Sequence, residues 1–545
     1  MFETVLPTLP LIPLYAEIHY RFRFFPISLY FRKMPEIIFD CPWRIRAERP
    51  VTFFLLLKDA HRWPLTLKSV SVQWQAETGE SGEATFPLNQ EVSTPWFHQE
   101  FALDEVELPR TAHISLVPKL HFLIRNRKKT VVIDNFSGLS KKPLQTYLAD
   151  EDFPELPGWR TGDIHVHTEL TADQVEFGAP LEMTQHGAEV MGLDFVAATD
   201  HSYDLDDKPD DYLHNDPQLT KWYTSRRSML ELNGVNSAEK SVFIPGEEIT
   251  VRNVRQQNIH LLHLNDSQFF PGSGDGAERW LKTKSEYKVS HVLENRSQGT
   301  VSIAAHLNYK VPFLHRLLID RDEWQFNDLL TPGLNGAQVI SGTPESRDFT
   351  KSRILWIRAL LQGLRLAIYG GSDAHGNFNV FRQVKMPMIM LFRLNDQILG
   401  QARTLIDSTG NEPEKLISAM QQRRTAASTG PVGDLQLITP DGMTHRIGED
   451  VEILSEYVTI RLEGLSTAEF GVISDILLYQ GNLTARQEAV IWEKVPAKKT
   501  FRVNHTLKFR ISEPTYFRLE IKTPGNNRWP GVYLSTPIWV RLPQR

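Results

Sequence analysis

Gly162-Asp163-Ile164-His165-Val166-His167-Thr168 has the alternation of a short strand. Successive side chains of a strand point to opposite faces, so positions 163, 165 and 167 share one side while Ile164 and Val166 seal the other. Both imidazoles then look into one cavity. Two histidines at this spacing can grip a single metal ion.

Outward from this stretch, other short apolar runs end in, or are studded with, potential ligands. Phe195-Val196-Ala197-Ala198 leads into Thr199-Asp200-His201, and Val242-Phe243-Ile244 into Gly246-Glu247-Glu248. Asn258-Ile259-His260-Leu261-Leu262-His263 carries two histidines. Ser302-Ile303-Ala304-Ala305 ends at His306, and Leu366-Ala367-Ile368-Tyr369 runs into Gly370-Gly371-Ser372-Asp373-Ala374-His375. The runs at 195–198, 242–244, 302–305 and 366–369 read as parallel-sheet strands, with helical stretches between them. Asp216-Pro217 opens one helix, expected to bury Leu219, Trp222, Tyr223 and Leu230, and Gly363 stops another that carries Ile354, Leu355, Ile357, Leu360 and Leu361. In open α/β sheets and α/β barrels, ligands collect at the carboxyl ends of strands. A set of His, Asp and Glu at several such ends points to a site for more than one metal ion.

Parity leaves two choices open. Glu247 and Glu248 face opposite ways on a strand, as do His260 and His263; Glu248 and His260 are the preferred members. His186, His291 and His315 are read as ordinary packed or surface histidines. Arg252, Arg255 and Lys310, near the ligands in sequence, are candidate phosphate holders with surface charge as the alternative. The acidic run Asp204, Asp206, Asp207, Asp210 and Asp211 reads as a solvated loop in preference to a cation site.

Before residue 156 the pattern has period two: Val70, Val72 and Trp74 alternate with polar residues, as do Leu120, Phe122 and Ile124, and Asn126-Arg127-Lys128-Lys129 reads as a hairpin tip. After 431 alternation returns, with Val458, Ile460 and Leu462 on one face and Phe517, Leu519 and Ile521 on another. The expected organisation is an N-terminal β-rich domain (1–155), an α/β unit (156–431) and a C-terminal β-sandwich-like domain (432–545). A chain of 545 residues is too long for one core, which agrees with this division.

Composition narrows the partners. Sixty Lys and Arg against 66 Asp and Glu leave a net charge of -6, so nucleic-acid binding by phosphate neutralisation is not expected. Cys41 is the single cysteine, which leaves metal binding to His and carboxylates. The apolar N-terminus lacks a signal-peptide pattern: Glu3 replaces a basic region, and Pro7, Pro10 and Pro13 interrupt the apolar run. A cytoplasmic protein without a membrane span is expected, with Phe24, Phe25, Tyr30 and Phe31 packed in a strand in preference to a peripheral membrane contact. No nucleophile elbow or P-loop stands out; Gly272, Gly274 and Gly276 read as a flexible loop.

Asp-Ile-His-Val-His-Thr at 163–168, Thr-Asp-His-Ser at 199–202, Gly-Glu-Glu-Ile-Thr at 246–250, Ala-Ala-His at 304–306 and Gly-Ser-Asp-Ala-His at 371–375 resemble the motifs of the PHP-domain family, in that family's order. The segment 419–431 and the stretch Tyr533–Val540 resemble its CehA/McbA-type branch. The resemblance implies a distorted (β/α)7 barrel holding two or three divalent metal ions for hydrolysis of phosphate esters; nitrogen and oxygen donors without thiolate suit Mn, Zn or Fe. It implies His165, His167, His201, Glu248, His260, His306, Asp373 and His375 as ligands. Where the family usually continues Ser-Asp-Gly, or places another histidine a few residues on, this chain reads Glu169 to Glu176, with Asp173 the candidate replacement ligand. Two ions are therefore the expectation, about 3.5–4 Å apart and bridged by Glu248 and a hydroxide nucleophile. His201 or His375 would protonate the leaving group, and Asp200 would orient a ligand.

The expected activity is that of a phosphoesterase on a small-molecule ester substrate. A carboxyl or carbamate ester hydrolase at the same centre is the alternative, and a metal-stabilised glycan- or protein-binding protein without turnover is the reading from a different class.

Overall fold

The computed structural model describes residues 34–543, apart from 136–140, 172–176, 209–210, 235–239, 275–282, 312, 380, 384–391, 395–396, 497–498 and 526–529. The expectations for Asp173, Asp210, Gly276, Phe24, Phe25, Tyr30 and Phe31 lie outside the described residues. Strand dominates over helix, and the strands form several sheets. No described helix is long and apolar enough to cross a membrane.

In the N-terminal region a three-stranded sheet (Glu36–Asp40, Val51–Lys58, Trp96–Leu103) faces a six-stranded one built around Leu65–Ala76 and Ala112–Ile124. One core joins them: Phe53, Leu55 and Leu57 from the first meet Val70, Val72, Leu120 and Phe122 from the second. Burial alternates residue by residue along Ala112–Ile124, as the period-two sequence demands. The basic turn is an exposed hairpin tip, with Arg125 and Asn126 at positive φ.

The larger sheet carries the ligand-bearing runs. Its strands follow spatially as Ala367–Gly370, Gly336–Ile340, Val301–Ala304, Asn258–Leu264, Val242–Arg252, Phe195–Ala198 and Trp159–His167. The pairings 159–167 with 195–198, 195–198 with 242–252, 301–304 with 336–340 and 336–340 with 367–370 are parallel. Asn258–Leu264 interrupts them by pairing antiparallel on both sides. The sheet curls until its edge strand 367–370 abuts Arg403–Asp407: Thr404 Oγ1 donates to Gly370 O (2.7 Å) and accepts from Gly370 N (3.0 Å). Ladder hydrogen bonds continue from 403–407 through Thr425–Ser428 to Gly531–Ser535, so one sheet crosses residue 431 without a break. Beyond it, Val432–Ile438, Tyr457–Leu465 and Arg502–Arg510 pack on 475–482 and 515–523 through Leu435, Ile460, Leu462, Leu478 and Leu519.

Two local expectations are corrected. The helix Thr220–Asn233 buries Trp222, Ser225 and Met229, while Tyr223 and Leu230 are exposed at 61% and 66%. Leu219 sits before the helix at φ +50, which places the buried stripe one residue round from the expected face. In the acidic run Asp204, Asp206 and Asp207 are buried, not solvated, and Asn215 donates to Asp206.

Candidate metal centre

Six strands (159–167, 195–198, 242–252, 258–264, 301–304 and 367–370), or the loops just after them, bring their site residues to one point. The strand 159–167 delivers His165 and His167, both fully buried. Thr199 N donates to Val166 O (2.8 Å), and Glu248 N to Asp200 O (3.0 Å), which brings His201 beside Glu248. Register then settles the two parity choices together. Thr250 pairs with His260 and Glu248 with Leu262, so Glu248 and His260 share the inner face; Glu247 pairs with His263 on the outer one. His306 and Asp373 stand just past their strands in the left-handed region, at φ +26 and +59, a strained backbone of the kind that persists at functional sites. Gly371 lets the 370–373 loop pass close by, because a Cβ there would lie 2.9 Å from His165 Cβ.

Glu248 is the hub. Its Oε2 lies 3.4 Å from Nε2 of both His165 and His167 and 3.1 Å from His201 Nδ1. Its Oε1 contacts His260 Nδ1 and lies 3.0 Å from His306 Nε2. Asp373 Oδ1 lies 3.2 Å from Nε2 of His165 and of His167, and those two nitrogens are 3.3 Å apart. His375 stacks on His167 at 4.0 Å between ring centroids. Three overlapping groups could each hold a metal ion: His165, His167, Glu248 and Asp373; His201, Glu248 and His260; and His167, His201 and His375.

Charge and hydrogen bonding agree with that use. Glu248 Oε2 and His201 Nδ1 are buried without a partner in hydrogen-bonding geometry, even though they face each other. Buried polar atoms are seldom left so. Burial disfavours the Glu248 carboxylate, yet His260 and His165 hold its carboxyl well below the usual range. Burial likewise opposes a charged His167, but Asp373 and Glu248 more than offset it and raise that imidazole to about 10. His201 is lowered to about 3 by burial and by neighbouring His167. Two carboxylates therefore demand positive charge in a sealed space, and a divalent ion on neutral imidazoles would meet that demand. The less sealed edge lies at Asp373, His306 and His201, whose side chains are 14%, 10% and 8% exposed.

Supporting residues surround the cluster. Asp200 spends both carboxylate oxygens on the next turn, accepting from Thr168 N (2.7 Å), Thr168 Oγ1 (2.8 Å), Thr171 N (3.1 Å) and Thr171 Oγ1 (2.9 Å). Thr171 Oγ1 in turn meets His167 Nδ1 at 3.1 Å, so Asp200 acts on a ligand at one remove. Gln338, which sequence reading missed, meets His165 Nδ1 (3.0 Å) and bonds Gly371 O and His306 N. Asp163 was missed too. Its carboxylate accepts from the backbone of Ser372 (2.9 Å), Gly400 (2.9 Å) and His165 (3.1 Å), tying the 371–375 loop to the strand. Gln397 Nε2 donates to Asp373 Oδ2 (2.7 Å).

The proposed phosphate holders are elsewhere. Arg252 is engaged with Gln256 and Glu286 O, Arg255 faces Asp322, and Lys310 is exposed. The arginine that reaches the cluster is Arg321, which touches His260. His186 pairs with Glu100 (2.9 Å), and His291 stacks on Tyr287.

No protein-family model matches this chain, and no curated protein matches it. Solved structures align weakly. Bacteroides uniformis beta-glucuronidase is 12% identical, with 93% of this chain and 61% of that one covered at a TM-score of 0.18. Beta-D-mannosidase from Dictyoglomus thermophilum is 8% identical, with 93% and 67% covered at 0.23. Trypsin-activated alpha-2-macroglobulin from Escherichia coli is 9% identical, with 96% and 24% covered at 0.15. The chain thus spans under two thirds of the first and about a quarter of the third. Similarity at this level carries no argument about fold or activity, and the reading of the chain rests on the cluster itself.

Proposed function

We propose that the chain is a metal-dependent hydrolase of the PHP-domain kind, acting as a phosphoesterase on a small-molecule ester. The observation that carries this is the overlap of three ligand groups through Glu248, His167 and His201, with buried Glu248 Oε2 and His201 Nδ1 left without hydrogen bonds. The curl of the sheet from 159 to 407 and the helices between its strands support a distorted (β/α)7 barrel as the scaffold. Residues 34–155 and 432–543 would be its β-rich flanks.

His165, His167, Glu248 and Asp373 would hold one divalent ion, and His201, Glu248 and His260, with His306 beside them, a second. His167, His201 and His375 offer a third place. Donors of nitrogen and oxygen without thiolate suit manganese, zinc or iron. Such ions supply Lewis acidity, which acidifies water and neutralises charge building on a phosphoryl oxygen.

The chain's own residues do the rest. Glu248 and Asp373 keep their carboxylates ionised at neutral pH and so remain acceptors. Gln338 and Thr171 fix the rings of His165 and His167 through their Nδ1 atoms, which leaves Nε2 of each turned to the carboxylates. Sealed His165 and His167 exclude bulk water from the rear of the site, so substrate would enter past Asp373 and His306.

The test is turnover of 4-nitrophenyl phosphate by protein loaded with manganese or zinc. Turnover that disappears with its metal in Asp373→Ala supports the reading. Hydrolysis of a nitrophenyl carboxylate or carbamate instead would move the activity to those esters. Metal retention without turnover of either would overturn hydrolysis and favour a binding protein.

A further inference from the structure

The loop that carries Asp373 and His375 is held at both ends, and the two holds come from different parts of the chain. At its start, Asp373 N donates to His165 O (2.8 Å) and Ser372 N to Asp163 (2.9 Å), and His375 lies in register with His167. Gly376 then turns the chain at φ +60, where a Cβ would lie 2.8 Å from Ala179 N. Beyond that corner the N-terminal region takes over.

Phe378 gives both of its backbone polar groups to that region: its N donates to Asp40 Oδ2 (3.2 Å), and its O accepts from Trp43 N (2.9 Å). The side-chain amide of Asn379 donates to Gln145 O (2.6 Å) and accepts from Gln145 N (3.3 Å). It thus pairs with the strand Leu144–Leu148 as a neighbouring backbone would. The same amide nitrogen donates to Cys41 Sγ (3.2 Å). Trp43 Nε1 donates to Leu399 O (2.9 Å), and Leu399 N in turn to Asn377 O (2.9 Å). Asp40, Trp43, Phe378 and Asn379 are all buried. A buried polar group that loses its partner is costly, so releasing these contacts forces the segment to shift until they are met again. Gly376 and Asn377 alone separate His375 from Phe378, so the shift carries to His375 and Asp373.

We propose that the N-terminal β region is a working part of the metal centre, its contacts with Phe378 and Asn379 positioning Asp373 and His375. This rests on the metal-holding part of the reading above, not on turnover, and gives residues 34–155 a task at the site. The two ion places respond differently. Asp373 serves the ion held with His165, His167 and Glu248, whereas His201, Glu248 and His260 come from the turn after 195–198 and the hairpin 242–264. Undocking therefore weakens the first place and largely spares the second. Asp40 and Asn379 are positioning residues that act through the loop.

The test titrates manganese into the full chain by calorimetry and records the visible absorption of the cobalt-loaded protein, which reports ligand geometry. Asn379→Ala should weaken one ion by about 10–100-fold, as loss of a residue supporting a ligand does, leave the other nearly unchanged and alter the cobalt spectrum. Asp40→Asn removes one acceptor and should weaken the same ion by about twofold to tenfold. Val72→Ala is the control, a core change on the strand 65–76, which pairs with 81–92 and 112–124. It should lower the urea midpoint with both affinities and the spectrum unmoved. Affinities and spectrum in Asn379→Ala equal to those of the unaltered protein overturn this inference alone. So does an affinity that merely follows urea stability across the three variants, or loss of both ions together. Should Asn379→Ala fail to fold, an unmoved affinity and spectrum in Asp40→Asn overturn it equally. An unaltered protein that binds no manganese overturns the metal reading and this inference with it.

Discussion

The hairpin formed by Val242–Arg252 and Asn258–Leu264 buries a glutamate and a histidine on each of its two faces, and the two pairs behave oppositely. On the outer face Glu247 is met by Trp222 Nε1 and by Arg226 Nη2 (3.2 Å), while His263 is held between Asp266 (2.7 Å) and Ser302 (3.0 Å). Each polar atom there has a partner of matching chemistry. On the inner face Glu248 faces five imidazoles, with ligand atoms crowded together and Oε2 left without a hydrogen bond. Burial pushes the Glu247 carboxyl up despite Arg226, but fails to do so for Glu248 against His260 and His165. A buried carboxylate beside an imidazole is therefore no sign of a metal site. A surplus of acceptor atoms sharing one carboxylate is.

That contrast can be broken or sharpened by exchange experiments. Glu248→Gln should lower metal affinity by more than a hundredfold, beyond the roughly 10–100-fold that loss of a supporting residue costs. Glu247→Gln should keep its metal and lose only stability, both read by metal analysis beside urea unfolding. Equal metal loss in the two variants would erase the distinction. His263→Ala removes one partner of buried Asp266, which keeps the backbone amides of Gln268 and Ser297, and should cost about 1–3 kcal/mol in urea unfolding with metal content unchanged.

Gln338→Ala frees the His165 ring and should weaken metal binding by about 10–100-fold in a calorimetric titration. An unchanged affinity would show that packing alone orients His165.

The smallest effect is at His186, a histidine between two carboxylates that is neither sealed nor crowded. Hydrogen bonds that it donates to the Glu100 and Glu189 carboxylates raise it to about 9. A raised imidazole stabilises the fold below its unfolded pKa near 6.5 and loses that contribution as pH rises through about 9. Its side chain is 33% exposed, so solvent screening holds the contribution below about 1 kcal/mol. His186→Gln should flatten the slope of stability between pH 6.5 and 9. A slope that is unchanged would assign it to another group.

Much of the site was legible because its signal is local. Alternation along 159–167 puts His165 and His167 on one side, and an apolar run ending in Asp-His or Ser-Asp-Ala-His says where a strand stops and a ligand starts. What was not legible depends on pairing. Parity alone could not choose between Glu247 and Glu248 or between His260 and His263; the register Glu248 to Leu262 links the two choices into one. Asp163 lies in strand alternation with the two histidines and looks equally like a ligand. Its role as a tether depends on backbone amides 209 and 237 residues away. Arg321 and Gln338 sit in stretches with no motif, and only tertiary packing brings them to His260 and His165. The helix at 220–233 was misread because Leu219, counted with its apolar face, precedes the first turn.

The central claim is that the inner face of the hairpin, and not the outer, holds metal. A crystal grown with manganese or zinc and measured at the metal's absorption edge tests it directly. The account predicts at least two anomalous peaks among Glu248, Asp373, His165, His167, His201 and His260, with none beside Glu247 or His263. An inner face without a peak, or a peak on the outer face alone, would contradict it.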